Sequence, residues 1–397
     1  MLHVKVIGIG ACGNKAAIRL LEKKMVSDEQ IRLLNSTLKD IPPEYQSLAI
    51  EFGNAKGCGK ERGLARDMML KALQEDKVKL NSFIDPLDDV VIIATSLEGG
   101  TGCGSSQLVA EYVKNVLEKN VHLFGFAGFE DDIRGLQNTV EWFKELSSDY
   151  VVEAISNKKF LEENGNNRSK AEAAANDEFA NRVGILIGKE IDPSTDNMDD
   201  TDIYKVATMP GFMTIETCHL TKLKDQEEFT ALMQTMIDNS KSLDTEQSAK
   251  RIGVVVNCTP KTKAAIDESF KVIIDHYGMP FEIFRHYQNT KEEEFINIIV
   301  SGMKLPIDDV NAVYEKYKKR MDLVDRQRDS FFDKEYKMDD GSMFNFSAKR
   351  QITEDQLKAK AASFFSSHGA APAQAEQSKQ KKEPKAGFKN TQISDEL

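Results

Sequence analysis

The sequence predicts an α/β fold whose parallel, doubly wound sheet carries a ligand at the carboxyl ends of its strands. Through residues 1–156, strand-like apolar segments alternate with helical ones, which is typical of a parallel sheet covered by helices on both faces. Glycine-rich segments follow the first and third predicted strands. Because ligands of such sheets bind at the carboxyl edge, we expect both glycine segments to face one site.

The first unit is predicted to contain strands near residues 3–8, 31–36, 89–95, 121–127 and 150–156. Apolar residues recur at helical spacing between the strands, which predicts helices over Lys15–Lys24 and Gln107–Lys119. The segment 158–167 is polar, and we expect a loop or a short helix there. Each glycine segment thus lies between a strand and the helix that follows it.

The glycine segments suit phosphate binding. Glycines allow several backbone N–H groups to turn toward one point, and a helix N-terminus adds partial positive charge there. Gly8, Gly10 and Gly13 also fit the dinucleotide fingerprint, but the next strand ends at Asn35 and lacks the acid that this fingerprint needs. One such loop alone is equally consistent with a tight turn without a ligand. Two of them favour a single nucleotide held from two sides.

The segment Gly99–Gly104, Gly-Gly-Thr-Gly-Cys-Gly, resembles the glycine signature of the tubulin and FtsZ superfamily of GTPases. The other motifs of the superfamily are present in its order over about residues 1–325. They are Gly8–Asn14 (first phosphate loop), Asn35–Thr37 (second loop), Lys56–Gly59 with Arg62–Gly63 (third loop), Phe129–Glu130 with Arg134 and Asn157 (ribose contacts), Ala174–Asp177 (base-reading segment) and Asn197–Asp202 (catalytic loop). Within the superfamily, Met209–Met213 and Val300–Pro306 resemble TubZ, the partition tubulins of plasmids and phages.

The resemblance implies that GTP or GDP is bound together with Mg²⁺, and that Asp177 reads the guanine. The residues that it assigns to the nucleotide are Gly10, Ala11, Cys12, Asn14, Lys15, Asn35, Gly57, Gly99, Gly100, Thr101, Gly102, Cys103, Gly104, Glu130, Arg134, Asn157 and Asp177. Four positions depart from the family. Glu98 replaces the first glycine of the signature, Cys103 replaces Thr or Ser, and Glu172 and Ala173 stand where many members have an aromatic ring against the base.

The resemblance also assigns catalysis to Asp199 and Asp202, which orient the attacking water, with Asn197 supporting the loop. A helix is predicted over residues 169–190, and at ~1.5 Å per residue it separates Asp177 from Glu190 by about 20 Å. Acids beyond its end cannot reach the nucleotide of their own chain. They would act on that of a neighbour, in a head-to-tail contact that builds a filament. Local sequence alone favours helix capping for the two aspartates, whereas the motif context favours catalysis.

The complete predicted organisation is a Rossmann-like nucleotide domain joined by a central helix to a second α/β domain. The boundaries are 1–168 for the GTP-binding domain, 169–190 for the central helix, 191–305 for an assembly and GTPase-activating domain, 306–340 for a C-terminal helix and 341–397 for a flexible, disordered tail. The second α/β domain is predicted to have strands at 213–220, 252–258, 281–286 and 295–300, and helices at 225–241 and 262–276.

Composition limits the possible partners. The net charge of −11 argues against a body that coats DNA, and no apolar run reaches the ~18 residues of a membrane span. We therefore expect a cytoplasmic protein without a membrane partner. Its cysteines and histidines show no metal-ligand spacing. The tail contains Lys379, Lys381, Lys382, Lys385 and Lys389, which suits either a solubilising segment or the binding of a DNA-binding adaptor protein.

Three classes of function follow. The first is a polymerising GTPase that segregates plasmid or phage DNA, as the TubZ resemblance implies. The second is a filament-forming GTPase of cell division or phage positioning. The third, supported only by Gly8, Gly10 and Gly13, is an NAD-binding oxidoreductase.

Overall fold

The computed structural model describes residues 2–189, 191, 200–220, 226–290, 293–332, 336–337 and 343–344. The chain divides into two compact units, Met1–Asp325 and Arg326–Leu397. Two short antiparallel strands follow the last helix. Tyr336–Lys337 lies in the segment predicted as the C-terminal helix, and Met343–Phe344 lies at the start of the predicted tail. The rest of the predicted tail falls outside the described residues. No described helix is long and apolar enough to cross a membrane.

The first unit contains one ten-stranded sheet. Its strands are β1 (Val4–Ile9), β2 (Ile31–Asn35), β3 (Ala49–Glu51), β4 (Val90–Ser96), β5 (Asn120–Ala127), β6 (Val151–Ser156), β7 (Gly211–His219), β8 (Arg251–Asn257), β9 (Glu282–Gln288) and β10 (Phe295–Met303). The helices are α1 (Gly10–Glu22), α2 (Arg62–Gln74), α3 (Leu80–Phe83), α4 (Thr101–Asn115), α5 (Ile133–Lys144), α6 (Asn157–Glu163), α7 (Arg168–Leu186), α8 (Asp200–Ala207), α9 (Gln226–Asp238), α10 (Pro260–Ser269), α11 (Lys271–Tyr277) and α12 (Ile307–Phe332).

The strand order is β3-β2-β1-β4-β5-β6-β7-β10-β8-β9. All pairs from β3 to β7 are parallel, and the two halves of the sheet meet where Val151 and Val152 of β6 pair with Gly211 and Phe212 of β7. Strand β10 runs antiparallel to both β7 and β8. The predicted α/β fold with a parallel first half is confirmed, and the carboxyl ends of β1, β4, β5 and β6 lie at one edge.

Two helices begin earlier than predicted. Helix α1 begins at Gly10 and α4 at Thr101, whereas the sequence predicted starts at Lys15 and Gln107. The N–H groups of a helix's first turn have no acceptor within the helix. Glycines that the sequence analysis placed in a loop can therefore form this first turn and still have free N–H groups. The predicted helix 262–276 is two helices that meet at Phe270. The short edge strand β3 was not predicted.

The central strands are apolar on both faces because helices cover both sides of the sheet. Along β4, Val91 and Ile93 belong to one hydrophobic cluster, whereas Val90 and Ile92 belong to the other. On this second face, the ring centroid of Phe179 of α7 lies 4.7 Å from that of Phe124 of β5. Helix α7 therefore lies against the sheet as the predicted central helix.

A buried ionic group connects α7 to the sheet. Arg182 is only 1% exposed, pairs with Glu153 of β6 and with Glu178 at 2.7 Å, and donates to Ser242 Oγ at 2.8 Å. His122 Nε2 lies 3.3 Å from the second carboxylate oxygen of Glu153. Burial alone would raise the pKa of Glu153, but Arg182 and His122 lower it overall. Removing one member of this group would leave another charge buried without its partner, so the group is stable only when it is complete.

We expect Arg182→Met to lower the free energy of unfolding by about 3–5 kcal/mol, because it leaves the Glu153 carboxylate buried without its guanidinium. Arg66→Met is the matched control, since Arg66 is 43% exposed and lies 3.6 Å from Glu145; it should cost less than about 1 kcal/mol. Urea unfolding followed by the fluorescence of the single, buried Trp142 measures both. Equal midpoints for the two variants would contradict the argument.

Candidate functional site

The first phosphate loop (Gly8–Asn14) and the signature loop (Glu98–Gly104) are in direct contact. A Cβ on Gly10, whose φ is +75°, would lie 3.0 Å from the backbone nitrogen of Gly102. A Cβ on Gly102 would lie 2.7 Å from the carbonyl oxygen of Ile9 and would also collide with Thr95. Glycine is required at both positions because the first turns of α1 and α4 pack backbone against backbone. Two helix N-termini therefore meet at the carboxyl edge of β1 and β4.

The second loop (Asn35–Thr37) and the third loop (Lys56–Gly63) also reach the signature loop. The hydroxyls of Ser36 and Thr101 are 2.9 Å apart. A Cβ on Gly100 would lie 2.8 Å from the carbonyl carbon of Lys60, and Asn138 Nδ2 of α5 donates to the carbonyl oxygen of Lys60 at 3.1 Å. The structure thus brings together the loops that the sequence assigned to phosphate binding.

A cavity of about 220 Å³ lies beside these loops, bounded by α1, the signature loop, α7 and the segment Gly128–Asp132, which we call the β5–α5 loop. Of the predicted residues, Ala11, Cys12, Lys15 and Asn157 line it. Its lining also includes Phe129, Glu172 and Asn176. Lys15 Nζ pairs with Glu172 at 3.2 Å, and the Arg168 guanidinium carbon lies 4.8 Å from the centroid of the Phe129 ring.

Two buried acceptors at this site lack a hydrogen-bond partner among the described residues. They are Asn14 Oδ1 and Asn157 Oδ1, while Asn14 Nδ2 donates to the Leu34 carbonyl at 3.3 Å. Buried polar atoms are normally satisfied. Such acceptors, next to two helix N-termini, suit a polar ligand that brings both donors and negative charge.

The predicted base-reading residue and its neighbour on α7 have different surroundings. The carboxylate of Asp177 accepts from Arg19 Nε at 2.8 Å and pairs with Lys23 at 2.9 Å. Partial burial would raise its pKa, but these contacts with α1 lower it. Asp177 is absent from the cavity lining, whereas Asn176 and Glu172 are part of it. Successive helical residues point about 100° apart, and residues four apart share a face, so helical spacing from Glu172 could have identified Asn176.

The predicted ribose contacts lie close to the cavity but are held by protein groups. Glu130 pairs with Lys316 of α12 at 2.5 Å, and Arg134 pairs with Glu61 of the third loop at 2.9 Å. Neither residue lines this cavity. Gly57 has φ +80° in an open part of the third loop.

The remaining predicted residues of the site are buried at its base. Asn35 is buried, and its Oδ1 accepts from the Ser36 N–H at 2.9 Å. Cys103 Sγ donates to the Asn138 carbonyl at 3.3 Å, and burial raises the pKa of the thiol to about 12. Burial likewise raises the pKa of the Cys12 thiol to about 12. Cys103 can therefore contact a ligand through its backbone but not as a thiolate.

The predicted catalytic residues are only partly described. Asn197 and Asp199 lie outside the described residues. Asp202 is in α8, with its carboxylate 3.8 Å from Lys205 Nζ. In the same helix, the Tyr204 hydroxyl accepts from Asn120 Nδ2 at 2.9 Å. Asn120 begins β5, whose eight residues span about 23 Å before the β5–α5 loop, so α8 lies at the edge of the sheet opposite the cavity.

Comparison with curated proteins finds cell division proteins. The chain is 26% identical over 271 residues to FtsZ of Wigglesworthia glossinidia brevipalpis and to FtsZ of Buchnera aphidicola subsp. Acyrthosiphon pisum, in each case over 67% of this chain and 68% of the relative. No protein-family model matches the chain.

Comparison with solved structures finds the same fold in three related groups. TubZ of Clostridium botulinum phage c-st, with its C-terminal tail truncated, superposes with a TM-score of 0.63 at 18% identity, covering 81% of this chain and 97% of that one. The GTPγS-bound protofilament of CetZ2 from Haloferax volcanii gives 0.65 at 18%, covering 81% and 100%. FtsZ of M. jannaschii gives 0.59 at 19%, covering 76% and 88%. The resemblance recognised from the motifs is confirmed: the chain is similar in sequence to FtsZ and shares the fold of TubZ, CetZ and FtsZ.

We expect Gly102→Ala to lower the free energy of unfolding by about 1–3 kcal/mol, because its Cβ would be forced against the backbone of β1. The control is Gly63→Ala. A Cβ there meets no atom within 4 Å, and replacing glycine near the start of α2 should stabilise the chain by up to about 1 kcal/mol. Thermal unfolding should show shifts of opposite sign. A shift of the same sign in both variants would contradict the close packing of α1 on α4.

Proposed function

We propose that this chain is a GTPase that assembles head to tail into filaments and hydrolyses GTP where one subunit meets the next. The observation that carries the proposal is the meeting of two helix N-termini, α1 and α4, at one edge of a sheet whose opposite edge carries α8. The first feature provides a site for a nucleotide. The second separates that site from Asp202, the predicted catalytic residue that the structure describes.

The phosphates would lie against the first turns of α1 and α4. Their N–H groups lack intrahelical acceptors, and both helix dipoles place partial positive charge there. Lys15, in the second turn of α1, lines the cavity and would exchange its ion pair with Glu172 for a phosphate. Asn14 and Asn157 offer unpartnered acceptors for hydroxyl or amine donors of the nucleoside.

The residues around the signature loop also fit Mg²⁺ held mainly by phosphates. No cluster of three or more His, Cys, Asp or Glu side chains suited to a metal occurs among the described residues. The paired hydroxyls of Ser36 and Thr101 are oxygen ligands of the kind that Mg²⁺ uses directly or through water. When bound, the cation would neutralise charge that develops on the phosphates.

The nucleotide would be a guanine nucleotide, as in the GTPγS-bound protofilaments of CetZ2 and of the TubZ of Bacillus thuringiensis serovar israelensis. The sequence assigned the base to Asp177, and that prediction stands to be tested. The cavity lining favours Asn176. Its carboxamide can accept from the ring N–H of guanine and donate to the exocyclic carbonyl oxygen next to it. Adenine has an acceptor and an amine at these two positions, so a carboxamide fixed in this orientation does not match it.

Hydrolysis would need a second subunit. Helix α8 contacts the beginning of β5, so Asp202 lies at the edge opposite the proposed nucleotide site. A head-to-tail contact would place this edge on the nucleotide edge of the next subunit, with Asp199 and Asp202 orienting the attacking water and Asn197 supporting the loop. Heterologous contacts of this kind do not close and so produce filaments.

The cargo of the filament would be plasmid or phage DNA, bound through an adaptor protein at the lysine-rich tail. The shared fold with TubZ and the tail sequence support this choice.

A role in cell division is the second candidate, because the curated relatives are cell division proteins. An NAD-binding oxidoreductase is disfavoured because β2 ends at Asn35 rather than at an acid. Co-purification of a DNA-binding protein that is lost on truncation after Ser366 would favour segregation over division.

The base contact is tested with Asn176→Ala and Asp177→Asn in competition titrations of GDP against ADP. We expect Asn176→Ala to lower GDP affinity about 5- to 100-fold and to reduce the preference for guanine, because it removes a hydrogen-bonding group that the bound base would bury. Asp177→Asn should change the preference by less than about threefold, because its side chain contacts α1 outside the cavity. A larger loss of guanine preference in Asp177→Asn would instead assign the base to Asp177.

Hydrolysis in trans is tested with Asp199→Ala. We expect GTP binding and assembly to persist while phosphate release falls about 100-fold or more, because the attacking water loses its orienting carboxylate. Asp202→Ala should have the same effect or a smaller one. Phosphate release and sedimentation are measured at equal protein concentration.

A mixing experiment separates action in trans from action within one chain. When Asp199→Ala is added to wild-type protein, phosphate release per wild-type subunit should fall, because wild-type nucleotides then face mutated loops. Unchanged release per wild-type subunit would show that each chain acts on its own nucleotide.

A further inference from the structure

Glu98 stands where the superfamily resemblance expects a glycine, and its carboxyl binds the β5–α5 loop. Its Oε1 accepts from the backbone N–H of Glu130 at 2.7 Å. Partial burial raises the pKa of Glu98, and the hydrogen bond from Glu130 offsets only part of this effect. The backbone of Glu98 is fixed too, because Asn138 Nδ2 donates to its carbonyl oxygen at 3.1 Å.

The glycines around Glu98 provide the space that its side chain occupies. A Cβ on Gly128 would collide with the carboxyl group of Glu98, and a Cβ on Gly135 would lie 3.1 Å from its carboxyl carbon. Neither glycine has a positive φ, so a side chain at either position would compete with Glu98 for space and would not strain the backbone. The extra side chain at 98 and the missing side chains at 128 and 135 are therefore complementary.

Glu130 has an unusual backbone that needs support. Its φ is +61°, in the left-handed region that is costly for a residue other than glycine. Its N–H is bound by Glu98 at 2.7 Å, its carboxylate by Lys316 at 2.5 Å, and its carbonyl by Arg320 at 2.7 Å. Helix α12 thus holds Glu130 on one side and Glu98 holds it on the other.

The segment that Glu98 holds is a wall of the nucleotide cavity. Gly128 and Phe129 line that cavity directly. Glu98 and Gly128 also line a second cavity of about 250 Å³ next to α12. Glu98 therefore lies between the two cavities, and its contacts decide the position of the wall.

We propose that Glu98 is a positioning residue of the nucleotide site, which holds Gly128–Glu130 in place through the N–H of Glu130. This inference rests on the proposed function, since it concerns the same site. Only the acceptor oxygen is used in this role, so glutamine can replace glutamate. A carboxylate that acted on the phosphates or on Mg²⁺ would need its charge, and glutamine could not replace it.

The test uses the full chain, with Glu98→Ala and Glu98→Gln measured in parallel. Deuterium exchange of peptides that cover residues 126–134, measured without nucleotide, reports whether the hydrogen bond from the Glu130 N–H to Glu98 protects this segment. We expect this segment to exchange faster in Glu98→Ala and at the wild-type rate in Glu98→Gln. GDP affinity should fall about tenfold in Glu98→Ala, as expected for a lost buried hydrogen bond, and by less than about twofold in Glu98→Gln. Its Mg²⁺ dependence should stay unchanged in both variants.

Gly128→Ala provides a second and independent comparison. Its Cβ would displace the Glu98 carboxyl, so we expect it to weaken GDP binding at least as much as Glu98→Ala does. The double variant should bind GDP as Glu98→Ala does, because the clash disappears with the Glu98 side chain. If the loss of GDP affinity in the double variant equals the product of the two single losses, the proposed complementarity of residues 98 and 128 is wrong.

The outcomes separate this inference from the proposed function. Unchanged exchange of the 126–134 segment in Glu98→Ala would overturn the positioning role, whatever binds in the cavity. Equal losses of GDP affinity in Glu98→Gln and Glu98→Ala would overturn it in favour of a role for the charge. Failure of the wild-type chain to bind GDP would overturn the proposed function, and with it Glu98 as a nucleotide-site residue, while the exchange data would still decide the hydrogen bond.

Discussion

The close contact between Gly10 and Gly102 is the constraint on which the site depends. It brings the first turns of α1 and α4 together, so that the partial positive charges of two helices add at one point. A side chain at either glycine would separate the helices and weaken that sum. The second and third loops and α5 contact the same signature loop. A shift of α1 relative to α4 would therefore displace every loop that is predicted to bind phosphate.

The length of the sheet is the second determinant of function. Parallel strands place the glycine loops at one edge, and α8 contacts the beginning of β5 at the other. About 23 Å of strand lies between these edges, and no rearrangement of side chains can bridge it. In the proposed function, a residue of α8 would therefore meet the nucleotide of another molecule. The proposed need for two subunits is a consequence of the geometry of a single chain.

The buried group around Arg182 fixes α7 between these edges. Its guanidinium contacts Glu153 of β6 and Ser242, whose hydroxyl is 2.6 Å from that of Thr214 in β7. The direct pairing of β6 with β7 covers only two residues on each strand, so polar contacts through α7 add to the connection between the halves of the sheet. Moving α7 would expose buried charges, which is costly, and this favours a fixed distance between the two edges.

The sequence by itself determined the α/β class, the alternation of the main strands with helices and the loops that converge on the site, because apolar periodicity and glycine spacing are local properties of the chain. It missed the short edge strand β3 and the break between α10 and α11. It could not determine where α1 and α4 begin, since helical glycines and loop glycines look alike until their packing is known. Asp177 and Asn176 are adjacent in sequence, yet only the packing of α7 on α1 decided that Asn176 lines the cavity. The partner of Glu98 was equally hidden, because Glu130 lies 32 residues away and meets it only in the folded chain.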